Sequence, residues 1–423
     1  MGHIVNSERE YVLLQRRLDQ NLTGAPFSPV FIEILKLLFS PAEANLARQI
    51  PLRPTRLQDL ARKLCLPLEK LRERITSMAE RGLVLDFEHK GQSYVVLAPV
   101  VIGFFEFVFM RTRTELPMTE LARLFEEYMF QDDRFARSIF SSQTQLGRTM
   151  VREESLPETD FSEVLDWEKA SSAIESAAFV GVSLCACRHK ASHLGKSCSA
   201  PQRTCLTFNT SGQMLVQRGM AEAISQAEAL AILAECKAMG LVQIADNVQK
   251  QVGFLCNCCG CCCGMLQAIR TLDIHNAVIT SNWLVAINSP TCKGCGLCAK
   301  ACPIGAIHME EQDSKPAQAV CTPELCLGCG VCYTACKFGS ITMQKRAQQV
   351  LVPETTFDRL AAMAIERGKL ANFLFDDPTR LSHRALGRLA SVIEQSAPVK
   401  TLLAIKPLKS VFLNALQRGI SGR

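Results

Sequence analysis

Apolar residues recur at helical spacing through much of the first 140 positions. Tyr11, Leu14 and Leu18 mark an opening amphipathic helix, and Pro29 to Phe39 a strongly apolar one. Thr55 reads as an N-cap for Leu57, Leu60 and Leu64. A second set, Leu68, Leu71, Ile75 and Met78, begins after Pro67 and stops at Gly82. Two short strands follow, Leu83 to Phe87 and Ser93 to Leu97, about the turn His89-Lys90-Gly91. The longest apolar run, Val95 to Met110, has 16 residues and contains Pro99 and Glu106. That is short of the roughly 18–20 residues a membrane helix needs, so a strand and a buried helix are expected instead. Leu121, Leu124, Phe125 and Tyr128 predict another helical region within Glu115 to Phe140, and the polar stretch Gly147 to Asp160 reads as a linker.

Helix, helix, helix, hairpin is an order that resembles the winged helix, over about 70 residues. The resemblance implies a DNA-reading helix at residues 68 to 81. Its exposed positions mix Glu69, Glu73 and Glu80 with Lys70, Arg72, Arg74 and Arg81. From Arg48 to Lys90 there are ten Lys/Arg against six Asp/Glu, a milder excess than a DNA-binding face usually carries. Docking or dimerisation is the alternative use. Cys65, among leucines, is expected in the core.

Further on, a helix around Trp167 to Ala178 leads into a strand, Phe179 to Leu184, that ends at Cys185-Ala-Cys187-Arg188-His189. Cys198 and Cys205 lie shortly beyond. Ser225 and Glu228 form a capping-box pattern for a helix from Gln226 to Met239, which Gly240 ends. The strand-like run Val252 to Leu255 then delivers Cys256, Cys258, Cys259, Cys261, Cys262 and Cys263. Both cysteine loops thus leave a strand and can open on one edge of a sheet. Six cysteines within eight residues are poorly explained by burial, and disulfides between such neighbours are strained. A metal or cluster site is expected, with Cys185, Cys187, Cys198, Cys205, Cys256, Cys258, Cys259, Cys261 and Cys262 as candidate ligands and Cys263 set aside. Arg188, His189 and His193 are read either as groups tuning a cluster or as ordinary loop residues. Gly195-Lys196-Ser197 ends like a phosphate-binding loop, but Lys190 stands where its first glycine belongs, so that motif is rejected.

The most specific signal comes next. CKGCGLCAKACP begins at Cys292 and CLGCGVCYTACK at Cys326, every matching position lying 34 residues further on. Each half has the C-x2-C-x2-C-x3-C spacing, with Pro303 after the first and Lys337 after the second. The pair resembles the bacterial ferredoxin module with two 4Fe–4S clusters. That resemblance implies crossed ligation: Cys292, Cys295, Cys298 and Cys336 for one cluster, and Cys326, Cys329, Cys332 and Cys302 for the other. Gly294, Gly296, Gly328 and Gly330 let the loops come close to the cluster. A pair of zinc sites is the alternative. The repeat sets Cys321 opposite Ile287, on a strand entering each half, so it is assigned to the core; those two strands are expected to pair. Helices follow at Phe357 to Phe375, Leu381 to Gln395 and Val399 to Leu416.

Net charge changes the picture only at the C-terminus. Thirteen Lys/Arg against six Asp/Glu between Lys345 and Arg423 account for the chain's net +6. The last helix carries Lys400, Lys406 and Lys409 beside Leu402, Leu403 and Phe412, suited to an acidic partner, to an anionic membrane surface, or to capping the ferredoxin module. The opening MGHIVNSEREYVLLQRRLDQ shows no secretory signal. With 21 cysteines, an odd and clustered number, a reducing compartment is indicated, and the cytoplasm is expected.

The expected architecture is α+β and multidomain. It comprises an N-terminal helix and winged-helix-like domain (1–110), a helical connector and linker (111–165), a cysteine-rich α/β domain (166–285), a two-cluster ferredoxin domain (286–345) and a basic helical segment (346–423). The C-x-C-R loop, the CNCCGCCC loop and the paired motif together resemble a family of multidomain ferredoxin-like proteins of anaerobic microbes. The functional expectation is electron transfer by two 4Fe–4S clusters and at least one further cluster, to or from a partner redox enzyme, rather than stand-alone catalysis. Two alternatives remain: a redox-sensing transcription regulator, and a reductase with a substrate-activating cluster.

Overall fold

The computed structural model describes residues 7–156, 165–312 and 315–374. The expected helices Leu381 to Gln395 and Val399 to Leu416, with Lys400, Lys406 and Lys409, lie outside these. The chain is a mixture of helices and strands and divides into two compact units. Among the described residues, no helix is long and apolar enough to cross a membrane.

The first unit takes residues 7–104, 142–144 and 355–374. Helices α1 (Ser7–Asp19), α2 (Pro29–Leu38) and α3 (Pro41–Ala47) bury Leu14, Leu18, Phe31, Ile34 and Leu35. Strand β1 (Thr55–Arg56) precedes α4 (Leu57–Leu64), α5 (Leu68–Glu80), β2 (Val84–His89) and β3 (Gln92–Leu97). Lys90 and Gly91 both have positive φ, the twist a two-residue hairpin turn requires. Thr55 is a strand residue paired with Val95, and Arg56 takes the N-cap position without a side-chain bond. Backbone pairing to the hairpin has replaced the expected cap. Cys65 is exposed rather than core, because it ends α4 in the left-handed conformation, two residues before Pro67. The helix expected over Phe357 to Phe375 is divided at Gly368 into Thr356–Glu366 and Leu370–Leu374.

The second unit takes residues 105–141 and 145–354 and holds both cysteine regions. After α6 (Phe105–Phe109), α7 (Met118–Phe130) and α8 (Arg134–Phe140), the supposed linker starts with β4 (Gly147–Thr149). This polar strand is buried, and the Arg148 guanidinium donates to the carbonyls of Trp167 and Val248. There follow α9 (Ala170–Glu175), β5 (Val180–Leu184), α10 (Ala186–His193), β6 (Arg203–Phe208), α11 (Asn209–Gln217), β7 (Glu222–Ile224), α12 (Gln226–Ala238), β8 (Val242–Asp246), β9 (Phe254–Cys258) and α13 (Gly264–Leu272). Strands β4 to β9 form one antiparallel sheet in the order β4-β8-β9-β6-β5-β7. Ile232 and Leu233 of α12 pack with Val182, Leu206 and Leu255 in its core. Since β5 and β9 both run antiparallel to β6, they end at the same edge. There, Cys185 leaves β5, Cys205 lies near the start of β6, and Cys258 closes β9.

The ferredoxin-like stretch has β10 (Trp283–Ile287), α14 (Leu297–Ala301), β11 (Ile307–Gln312), β12 (Lys315–Cys321), α15 (Val331–Ala335) and β13 (Ile341–Lys345). The two strands entering the halves do not pair with each other. Instead β10 pairs with β13, the strand leaving the second half, and β11 pairs with β12 across the hairpin that joins the halves. Each half thus supplies one strand to each ribbon.

Candidate metal centres

The paired motif folds around two cavities. One is lined by Cys292, Cys295, Cys298 and Cys336. The other is lined by Cys302, Cys326, Cys329 and Cys332. The crossing arises because Cys302 and Cys336 end the short helices α14 and α15 and turn back across the module. Their surroundings match: Ala306 N–H meets Cys302 Sγ at 3.2 Å and Ser340 N–H meets Cys336 Sγ at 3.4 Å. Burial opposes a low pKa at Cys336, but N–H groups of Phe338, Ser340 and Ile341 bring it below the usual thiol range. Cys329 shows the opposite balance, pushed up to about 12 by burial. A thiolate-lined cavity with N–H groups aimed at sulfur is the donor set an iron–sulfur cube requires.

Two of the loop glycines are also constrained by neighbouring backbone. A Cβ on Gly294 (φ +66) stands 2.1 Å from the Ala317 carbonyl, and one on Gly328 (φ +71) stands 2.1 Å from that of Trp283. The cysteine loops are pressed onto the neighbouring strands. Cys321 is half-buried, and its neighbouring thiol lowers the pKa of Cys326.

In the sheet, the candidate thiols fall into two groups. Ligand atoms of Cys198, Cys259, Cys261 and Cys262 all lie within 4.8 Å of one another, with Cys261 exposed and Cys262 buried. Cys261 and Cys262 sulfurs are 3.6 Å apart. Cys259 is held down at about 4 by bonds from the Cys262 and Cys261 thiols and by the charge of Arg188. The other candidates, Cys185, Cys187, Cys205, Cys256 and Cys258, gather separately at the end of β5, β6 and β9. The neighbouring thiols of Cys205 and Cys258 draw the pKa of Cys256 down. Cys263, set aside as the end of the run, has its pKa lowered in the same way by Cys187 and Cys258. Its position at the N-cap of α13, before the apolar pattern of Leu266 and Ile269, is a signal that was available.

Arg188 is fully buried and lies next to both groups. It donates to the Pro201 carbonyl at 3.0 Å, the Asn257 carbonyl at 2.9 Å, the Thr204 hydroxyl, and Cys259 Sγ at 3.9 Å. Burial opposes its charge, but Cys185, Cys259 and Cys258 raise its pKa further. His189 is also buried, its Nδ1 against the Phe109 carbonyl at 2.8 Å, and the His193 ring lies 4.9 Å from it.

Two residues join the sheet to the ferredoxin-like stretch, and no motif announces either. Arg152, buried, bonds Thr334 Oγ1 at 2.6 Å and the Leu241 carbonyl at 3.1 Å, and its own N–H meets the Cys329 carbonyl at 3.3 Å. Gly260, inside the CCGCCC run, packs so tightly on Pro303 that an added Cβ stands 2.3 Å from its carbonyl oxygen.

The family model of the 4Fe-4S dicluster domain matches residues 291–340. No curated protein and no solved structure matches the chain. The match and the four-cysteine group mark an iron–sulfur protein with a ferredoxin-like module.

Proposed function

We propose that this chain is an electron-transfer protein in which Cys292, Cys295, Cys298 and Cys336 hold one 4Fe–4S cluster, and Cys302, Cys326, Cys329 and Cys332 a second. Cys198, Cys259, Cys261 and Cys262 hold a third, and electrons pass between these and a partner redox protein. The observation that carries it is the contact of Gly260 with Pro303. Gly260 lies between two thiols of the four-cysteine group, and Pro303 lines the cavity of Cys302. The loops of the two centres meet at this contact.

When bound, such clusters take up and release single electrons at nearly constant geometry. The protein's own residues set the conditions. Arg152 and Arg188 place cationic charge beside the thiols, N–H groups of Ala306 and Ser340 bond the crossed sulfurs, and Leu327 and Met343 exclude water. The far end of the route opens to solvent. Cys295 is exposed, as are Lys293, Leu297 and Phe338 at the mouth of the first cavity. That apolar and basic rim suits an acidic redox partner. By contrast, α5 interleaves Glu69, Glu73 and Glu80 with its basic residues, which gives the DNA reading no support.

Iron and sulfide content of anaerobically purified protein tests the proposal. About twelve irons or more per chain are expected, at four per cube. About eight would remove the third centre and leave a two-cluster carrier.

A further inference from the structure

We propose that the sheet holds not one but two iron–sulfur sites, the second built from the six cysteines Cys185, Cys187, Cys205, Cys256, Cys258 and Cys263. The inference extends the reading above, in which only the four-cysteine group is assigned.

Strand register brings the first three together. Leu206 pairs with Leu255 and Thr207 with Phe254, so the antiparallel ladder sets Cys205 against Cys256 as its next position. Cys256 and Cys258 are two residues apart on β9 and share a face. The thiols that perturb one another electrostatically are the same six: Cys205 with Cys256, Cys256 with Cys258, Cys263 with Cys258 and Cys187, and Cys185 with Cys256 and Cys263. Cys259, Cys261 and Cys262 have their thiol neighbours within the four.

Two helices begin at the six: Cys185 is the N-cap residue of α10 and Cys263 that of α13. Orphan N–H groups and the positive helix end stabilise thiolates. Six cysteines gathered where two helices begin, at one edge of the sheet, suit a cationic core that they bind as thiolates.

Six ligands exceed the four of a cube, so the fitting occupant is an iron–sulfur centre with more than four thiolates, of at least four irons. Arg188, between the two groups, keeps them as separate centres: its guanidinium reaches Cys259 of the four and its charge is felt by Cys185 and Cys258 of the six.

The test uses the full chain, expressed and purified without oxygen in ⁵⁷Fe, and compares wild type with Cys261→Ser and Cys263→Ser by iron analysis and Mössbauer spectroscopy. Wild type should carry about sixteen irons or more, at four per centre. Each variant should lose a different spectral component, about a quarter of the iron or more, and the double variant the sum. Loss of the same component in both variants overturns the proposal by showing one joint site. Loss in Cys261→Ser but none in Cys263→Ser or Cys205→Ser overturns it while leaving the third centre standing. If wild type holds about eight irons, the third centre falls as well. Zinc in the six-cysteine site also overturns it. Should the Cys263 and Cys205 variants not accumulate, the wild-type count decides: about twelve irons refutes the second site and about sixteen carries it.

Discussion

Cys292, Cys295 and Cys298 stand within seven residues of one another, and the fourth cysteine lining their cavity, Cys336, comes from the other half. Cys185, Cys205 and Cys258 come from the ends of three different strands, with α10 and α13 completing the group. The first arrangement is local and duplicated, and its geometry is set by short turns. The second exists only when a six-stranded sheet has formed in the right register. Metal binding should therefore be modular in the paired motif and coupled to global folding in the sheet.

The largest expected effect tests the modular half. Cys302→Ser and Cys326→Ser line the same cavity, so the double variant should lose about four irons, no more than either single variant. Cys302→Ser with Cys295→Ser spans both cavities and should lose about eight. Iron analysis with EPR checks this. Equal losses from the two double variants would break the crossed assignment.

The same contrast explains what could be read from the chain. The resemblance of the paired motif to the ferredoxin module implied two crossed groups of four, and the same cysteines line the two cavities. It did not foretell that β10 pairs with β13, since strand partners depend on how the halves close and not on their spacing. In the sheet, the loops after β5 and in the Cys256 run were visible. Their division into four and six was not, because Cys198 and Cys205 differ only in that Cys205 sits on a strand. The linker reading of Gly147 failed because polarity usually means solvent, whereas Arg148 is buried and satisfied by carbonyls. Arg152 and Gly260 act through tertiary contacts alone.

Arg188 sharpens the coupled half. Its replacement by Met leaves the carbonyls of Pro201 and Asn257 without their donor and the thiols without their cation. Breaking one side of such a buried charged contact costs about 3–5 kcal/mol. A lowered urea midpoint with loss of iron from the sheet, and retention of the ferredoxin-like signals, is expected. Lys at this position keeps the charge but cannot fork to four acceptors, and should fall between. A variant as stable as wild type would show that the thiols need no buried cation.

Gly260→Ala tests the junction between the two halves. With the new Cβ 2.3 Å from the Pro303 oxygen, the cysteine loop must lift away. Overpacking of this kind costs about 1–3 kcal/mol. The magnetic interaction between the third centre and the cluster of Cys302 should weaken in EPR spectra, with iron content unchanged. If the interaction is unaltered, the contact is a packing detail and the electron route lies elsewhere.

The smallest effect isolates a single N–H. Gly264 opens α13, nothing lies within 4 Å of an added Cβ, and its φ is outside the left-handed region. Gly264→Ala should therefore stabilise the protein by about 0.4–1 kcal/mol, by restricting the unfolded chain. Gly264→Pro fits the same place, since proline is favoured at the first helical position and Cys263, at φ −66 and ψ 122, already has the conformation a residue before proline takes. It differs from the alanine variant chiefly in lacking the N–H that favours the Cys187 thiolate. A site whose sulfur loses a donor becomes harder to reduce. The proline variant should thus match the alanine variant in thermal unfolding and show a more negative potential for one sheet component in an EPR-monitored titration. Identical potentials would mean that this helix end closes the fold and contributes nothing to the charge on sulfur.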